Sequence, residues 1–142
     1  MPEETTPDLI ELTDRLREAA NRRDVDSMVS FFAPDAVAEN AEGMGIFEGR
    51  AAIRRLWQDW FASFEELWLA PEETLDLGNG VVFSLVMLKG RPVGSSSEVR
   101  QRTASVTVWA GGLIERVTLY LDIDQARAAA ERLAQERAQA HG

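Results

Sequence analysis

The run RAAIRRLWQDWFASF constrains the chain more than any other stretch, because Ile53, Leu56, Trp57, Trp60, Phe61 and Phe64 recur at i, i+3, i+4, i+7, i+8 and i+11. Only an α-helix gathers that spacing onto one face, and so bulky a stripe needs a broad apolar surface to lie on. The helix opens at Glu48-Gly49-Arg50. Beyond Phe64 the pattern changes to that of strands, so the surface that receives the stripe is a sheet.

A strand is predicted from Glu66 to Leu77, ending at Gly78-Asn79-Gly80, whose Asn-Gly pair is a hairpin signal. Val81 to Lys89 is rich in large apolar residues with little alternation, the signature of a strand buried on both faces. Gly90 to Ser97 reads as a polar loop. Val99 to Trp109 alternates, Ala110-Gly111-Gly112 turns, and Leu113 to Asp122 returns as the last strand.

Before the stripe, Thr6-Pro7 predicts a helix start, and Leu9, Leu12, Leu16 and Ala19 or Ala20 follow at helical spacing. Asp24 caps a short second helix carrying Met28, Val29, Phe31 and Phe32, which Pro34 ends. Residues 35–40 form a short strand. After the last strand, Asp122 or Asp124 caps an alanine-rich helix with Arg127–Glu131 and Arg132–Glu136 spaced for ion pairs on a solvated face. The element order predicts one α+β domain over 1–142, with helices packed on one face of a curved antiparallel sheet.

Composition removes whole classes of function. With 15 basic against 24 acidic side chains, a net charge of −9, the chain is unsuited to a nucleic-acid backbone or an anionic membrane. There are no cysteines, and the one histidine, His141, is the penultimate residue. Disulfides, thiolate chemistry, a Ser-His-Asp triad and multi-histidine metal sites therefore fall away, and no spaced carboxylate cluster suggests a metal or other cofactor. The polar, acidic N-terminus is unlike a signal peptide and no apolar run reaches membrane length, so a cytoplasmic location is expected.

Three stretches carry a family likeness: NRRDVDSMVSFFAPDAVAEN, FEGRAAIRRLW and GGLIERVTLYLD. From roughly Leu9 to Asp122 the chain resembles the SnoaL-like and ketosteroid-isomerase-like branch of the nuclear transport factor 2-like superfamily. The resemblance implies a cone-shaped pocket between the concave face of the sheet and the helices, and a homodimer built on the outer face of the sheet. The last strand adds to that expectation, since Arg116, Thr118 and Tyr120 alternate with Val117, Leu119 and Leu121, large residues on both faces.

The family implies chemistry less firmly than fold, because isomerases, cyclases, hydrolases and non-catalytic binding domains share it. Asn40 matches the aspartate base of ketosteroid isomerases, and an amide cannot take a proton from carbon. Leu16 matches the tyrosine that donates to the oxyanion, and Ser105 its neutral aspartic acid. Against limonene-epoxide-hydrolase-like enzymes, Asn40 matches a water-positioning asparagine, whereas Ala38 replaces a tyrosine and Val86, Leu88 and Leu119 replace an Asp-Arg-Asp set.

Strand alternation places Ala38 and Asn40 on one face and Val37 and Glu39 on the other. The family register turns Gln101, Thr103, Ser105, Thr107 and Trp109 toward the pocket and Arg102, Ala104, Val106 and Val108 away. The alternative turns Val106 and Val108 to the core and leaves the hydroxyl face in solvent or at a dimer contact. The expected ligand-binding set is Asn40, Trp57, Trp60, Val86, Leu88, Ser105, Thr107, Trp109 and Leu119, with Trp68 as further apolar wall. Glu42, Glu48, Glu65 and Glu66 flank the expected mouth, where one could serve as a base. Arg100 and Arg102 read as surface or dimer ion-pair partners. Two functions remain: an enzyme acting on a small hydrophobic, oxygenated or cyclic molecule, or a binding or interaction domain whose acid/base groups have been replaced. A carboxylate projecting into the pocket would favour the first, and apolar side chains at the family's catalytic positions favour the second.

Overall fold

The helical stripe lies on a six-stranded sheet in a computed structural model that describes residues 8–41, 43 and 45–141, the side chain of His141 excepted. In chain order the elements are α1 (Leu9–Asn21), α2 (Val25–Ser30), β1 (Phe32–Asn40), β2 (Ile46–Glu48), α3 (Arg50–Ala62), β3 (Phe64–Asp76), β4 (Val81–Pro92), β5 (Val99–Ala110), β6 (Leu113–Tyr120) and α4 (Ile123–His141). The sheet runs β2-β1-β6-β5-β4-β3. Every neighbouring pair is antiparallel except β1 and β6, which run parallel, so the α+β cone rests on a mixed sheet rather than a wholly antiparallel one. No helix among the described residues is long and apolar enough to cross a membrane.

Local chemistry explains where the elements begin and bend. Thr6 and Pro7 lie outside the described residues, and the cap of α1 is Asp8, whose carboxylate accepts from the N–H groups of Ile10 and Glu11 at 3.1 and 3.2 Å. Asp24 caps α2 as expected, and bonds from the Ser27 hydroxyl and backbone N–H hold its carboxyl below the usual range. Asp122, not Asp124, caps α4 through the Gln125 N–H at 3.0 Å.

Strand β1 starts at Phe32, earlier than the sequence predicts, and carries Pro34 inside it. The register with β6 slips between Phe32 and Val37, so the proline that has no N–H to donate sits where the ladder is already broken. Pro71 is placed in the same way, at a slip in the edge strand β3. Such slips bend strands, and another between Val108 and Trp109 adds to the curvature of the sheet. Residues 90–92, expected in a loop, extend β4 instead, paired with the start of β3.

The principal departure concerns α4, which lies on the face of the sheet opposite α1 to α3. Ala126, Ala130 and Ala134 are buried against Val81, Phe83, Ala104 and Val106. Small residues at i, i+4 and i+8 let a helix approach a sheet closely. This explains why β4 opens with an apolar run without alternation: Val81 and Phe83 face α4, while Val82 packs with Phe32, Ala38 and Ile53 in the core under the other helices. The expected Arg127–Glu131 and Arg132–Glu136 pairs are absent among the described residues. Arg127 instead reaches Glu73 on β3 at 2.7 Å and lies 4.7 Å from the Phe83 ring centroid. Arg137 donates to the Asn79 carbonyl at 2.7 Å, tying the helix to the β3–β4 turn. The outer face on which the resemblance implies a dimer contact is thus partly covered by the chain itself. The outward residues of β6 also have partners within the chain: Arg116 and Thr118 both bond Glu39.

Candidate functional site

Between the concave face of the sheet and helices α1 and α3 lies a cavity of about 460 Å³. Its wall can be read in rows, because inward residues on one strand recur every second position, about 6.7 Å apart, and neighbouring strands lie about 4.8 Å apart. The deepest layer contains Trp109, Ile114 and Phe32, all buried. Above it the register aligns Ala38, Val117, Thr107 and Val82. The next row across β1, β6, β5 and β4 is Asn40, Leu119, Ser105 and Ser84. Thr103 beside Val86, then Gln101 beside Leu88, complete the ascent to the mouth.

All nine side chains of the expected set line this cavity. The family register for β5 is therefore the observed one, with Val106 turned to α4. Trp57 and Trp60 form the helical wall, edge to face with centroids 5.5 Å apart, and Phe64 continues it 6.2 Å from Trp60. The Trp57 indole N–H is buried without a hydrogen-bond partner among the described residues. Trp68 does not join the wall. The parity of β3 turns Leu69 inward, and Trp68 points outward, 55% exposed.

Thr107 and Trp109 have a structural task at the floor. The Trp109 indole donates to the Thr107 hydroxyl at 3.0 Å, and that hydroxyl lies 3.4 Å from the Val82 carbonyl. Thr107→Val keeps the shape but leaves the indole N–H without an acceptor, so it should cost about 1–3 kcal/mol in thermal unfolding, while Thr107→Ser should restore most of the loss. Ser84, Thr103 and Ser105 have no such partners among the described residues and present open hydroxyls to the cavity.

No Asp, Glu, His or Lys is among the described lining residues, and the one charged side chain there is Arg17. Of the acidic residues expected near the mouth, Glu42 lies outside the described residues and Glu48 is exposed away from the cavity. Glu65 and Glu66 are both held by Arg91 on the surface. Arg100 and Arg102 pair with Glu98 and Glu72 at 2.8 Å on the outside, as expected of surface ion pairs. Among the described residues no three His, Cys, Asp or Glu side chains come together as a metal site. Leu16, Val86, Leu88 and Leu119 all face the cavity, so these four of the positions matched to the family's catalytic groups present apolar surface, while Asn40 and Ser105 remain polar there.

Sequence reasoning missed Ser84, Thr13 and Arg17. Ser84 was legible as the lone polar residue in the run from Val81 to Leu88. Thr13, Leu16, Arg17 and Ala20 sit at i, i+3, i+4 and i+7, the spacing of a single helical face.

The sequence profile of the SnoaL-like domain matches residues 13–117. No curated protein matches the chain. Among solved structures, an NTF2-like protein of unknown function from Burkholderia pseudomallei superposes with a TM-score of 0.73 at 17% identity, covering 84% of this chain and 95% of that one. A proposed polyketide cyclase from Xanthomonas campestris pv. campestris gives 0.70 at 22% identity, covering 85% and 95%. TerC, co-crystallised with polyporic acid, gives 0.70 at 18% identity, covering 86% and 97%. At these identities the likeness shows a shared fold.

Proposed function

We propose, since the chain belongs to the SnoaL-like domain family, that its cavity binds a small, flat, mostly apolar molecule carrying oxygen substituents along one edge. The observation that carries this reading is the polar row Asn40–Ser105–Ser84, with Thr103 above it, facing the Trp57–Trp60 wall. A ring system fits the aromatic side, and hydroxyl or carbonyl groups on its other edge meet the row at strand spacing. A cavity of about 460 Å³ falls within the usual range of roughly 300–1,000 Å³ for small-molecule sites. The polyketide-cyclase proposal for one neighbour and the polyporic acid bound by another agree with such a ligand class.

Binding is favoured over proton abstraction from carbon. That reaction needs a base within reach of the substrate, and the described lining offers no carboxylate or imidazole. Asn40 then orients a ligand or a water without exchanging protons.

Calorimetric titration with 2-naphthol, a flat probe with one oxygen, tests the reading. Saturable binding is expected, and Val86→Phe, which fills the cavity from β4, should abolish it. Asn40→Ala should weaken binding about 3- to 10-fold, the worth of one hydrogen bond, with an unchanged circular dichroism spectrum. Absent binding, or binding that survives Val86→Phe in a folded protein, overturns it.

A further inference from the structure

We infer that Arg17 is an anion-recognising residue of this cavity, and that the ligand carries a carboxylate. The inference rests on the binding reading above and narrows its ligand class. Arg17 is the sole charged residue among the described ones lining an otherwise apolar and hydroxyl-bearing cavity. Its side chain is only 16% exposed. One nitrogen, Nη1, donates to Asp14 Oδ1 at 2.7 Å, and Asp14 itself is 44% exposed, on the solvent side. The Nε and Nη2 donors, which form the second edge of the guanidinium fork, have no partner among the described residues.

That geometry leaves a half-used arginine. Asp14, one turn back on α1, anchors the guanidinium by one nitrogen, while the other edge matches the two oxygens of a carboxylate in parallel hydrogen bonds. Buried beside apolar walls, such a pair is screened less than on the surface. The placement also answers a problem set by the whole chain: a net charge of −9 repels anions, so an acidic ligand needs a local cation at the site.

The experiment compares two probes of the same shape, 2-naphthoate and the neutral 2-naphthylmethanol, by calorimetry on the full chain at neutral pH. The wild type should bind the naphthoate about tenfold more tightly, the scale of a charge-assisted bidentate contact. Arg17→Met should remove that preference while leaving the alcohol's affinity within about twofold, and Arg17→Lys, a point charge without the fork, should retain only part of it. A wild type without preference, or an Arg17→Met variant that keeps it or loses both probes equally, would show that Arg17 contributes only its aliphatic stem to the wall. Binding of the alcohol then still supports the cavity reading. If neither probe binds the wild type, the inference falls together with that reading.

Discussion

Phe83→Ala is expected to destabilise the protein by about 3–5 kcal/mol, the usual cost of emptying a buried phenylalanine site. Phe83 is fully buried on the α4 side of the sheet, among Ala104, Val106, Ala126 and Ala130. Its ring is also the platform over which Arg127 lies on its way to Glu73. The alanines of α4 have no length to spare, so the helix cannot refill the void by rotamer changes. At about 2–4 °C per kcal/mol for a chain near this size, the melting temperature should fall by roughly 6–20 °C. Phe83→Leu keeps most of the volume and should cost less than half as much. Because Phe83 does not line the cavity, the folded fraction of either variant should bind 2-naphthol as the wild type does. A loss below about 1 kcal/mol would mean that α4 is not clamped to the sheet as described.

Gly80→Ala should have the second-largest effect. Gly80 has a φ of 82°, and a Cβ there would lie 2.3 Å from the Trp109 carbonyl oxygen. The same backbone is held by the Trp109 N–H donating to the Gly80 carbonyl at 2.8 Å. Relief therefore requires moving main chain, not a flexible side chain, and the loss should exceed about 2 kcal/mol. Gly78→Ala is the control: its φ is 86°, yet nothing lies within 4 Å of the added carbon. It should cost only the conformational term, about 1 kcal/mol. Since Trp109 floors the cavity, Gly80→Ala should also weaken 2-naphthol, which Gly78→Ala should not. Equal unfolding midpoints for the two variants would refute the clash.

Local periodicity made much of this legible. The spacing from Ile53 to Phe64 defines α3, and period-two alternation groups Asn40 with Ala38 on β1 and Ser105 with Thr103 and Thr107 on β5, while the family resemblance turned those faces to the cavity. What stayed hidden depends on partners far away in sequence. The three residues of β2 are too few to show a period. That α4 buries one side was available in the spacing of Ala126, Ala130 and Ala134, but the charges between them suggested a solvated helix with internal ion pairs. The face of the sheet it covers depends on contacts that spacing does not show. Arg17 escaped because a charged residue on an amphipathic helix ordinarily marks its wet side, and here it lines the cavity with a largely buried side chain. Trp68 was misplaced for the converse reason: a large aromatic residue suggests burial, and only the parity of β3 turns it outward.

The parallel pairing of β1 with β6 has a consequence for how the molecule comes into being. Asn40 stands beside Leu119 across a loop of about eighty residues, and closing so long a loop costs entropy before any contact repays it. Contacts of this separation raise contact order and slow folding. Until β6 is in place, β1 has only the three-residue β2 beside it, and the wall supplied by Ile114, Val117 and Leu119 is missing. A nascent chain that has emerged only through β5 therefore holds most of the hydroxyl row but no enclosed site. The chain through β6 must leave the ribosome before there is anything for a ligand to occupy.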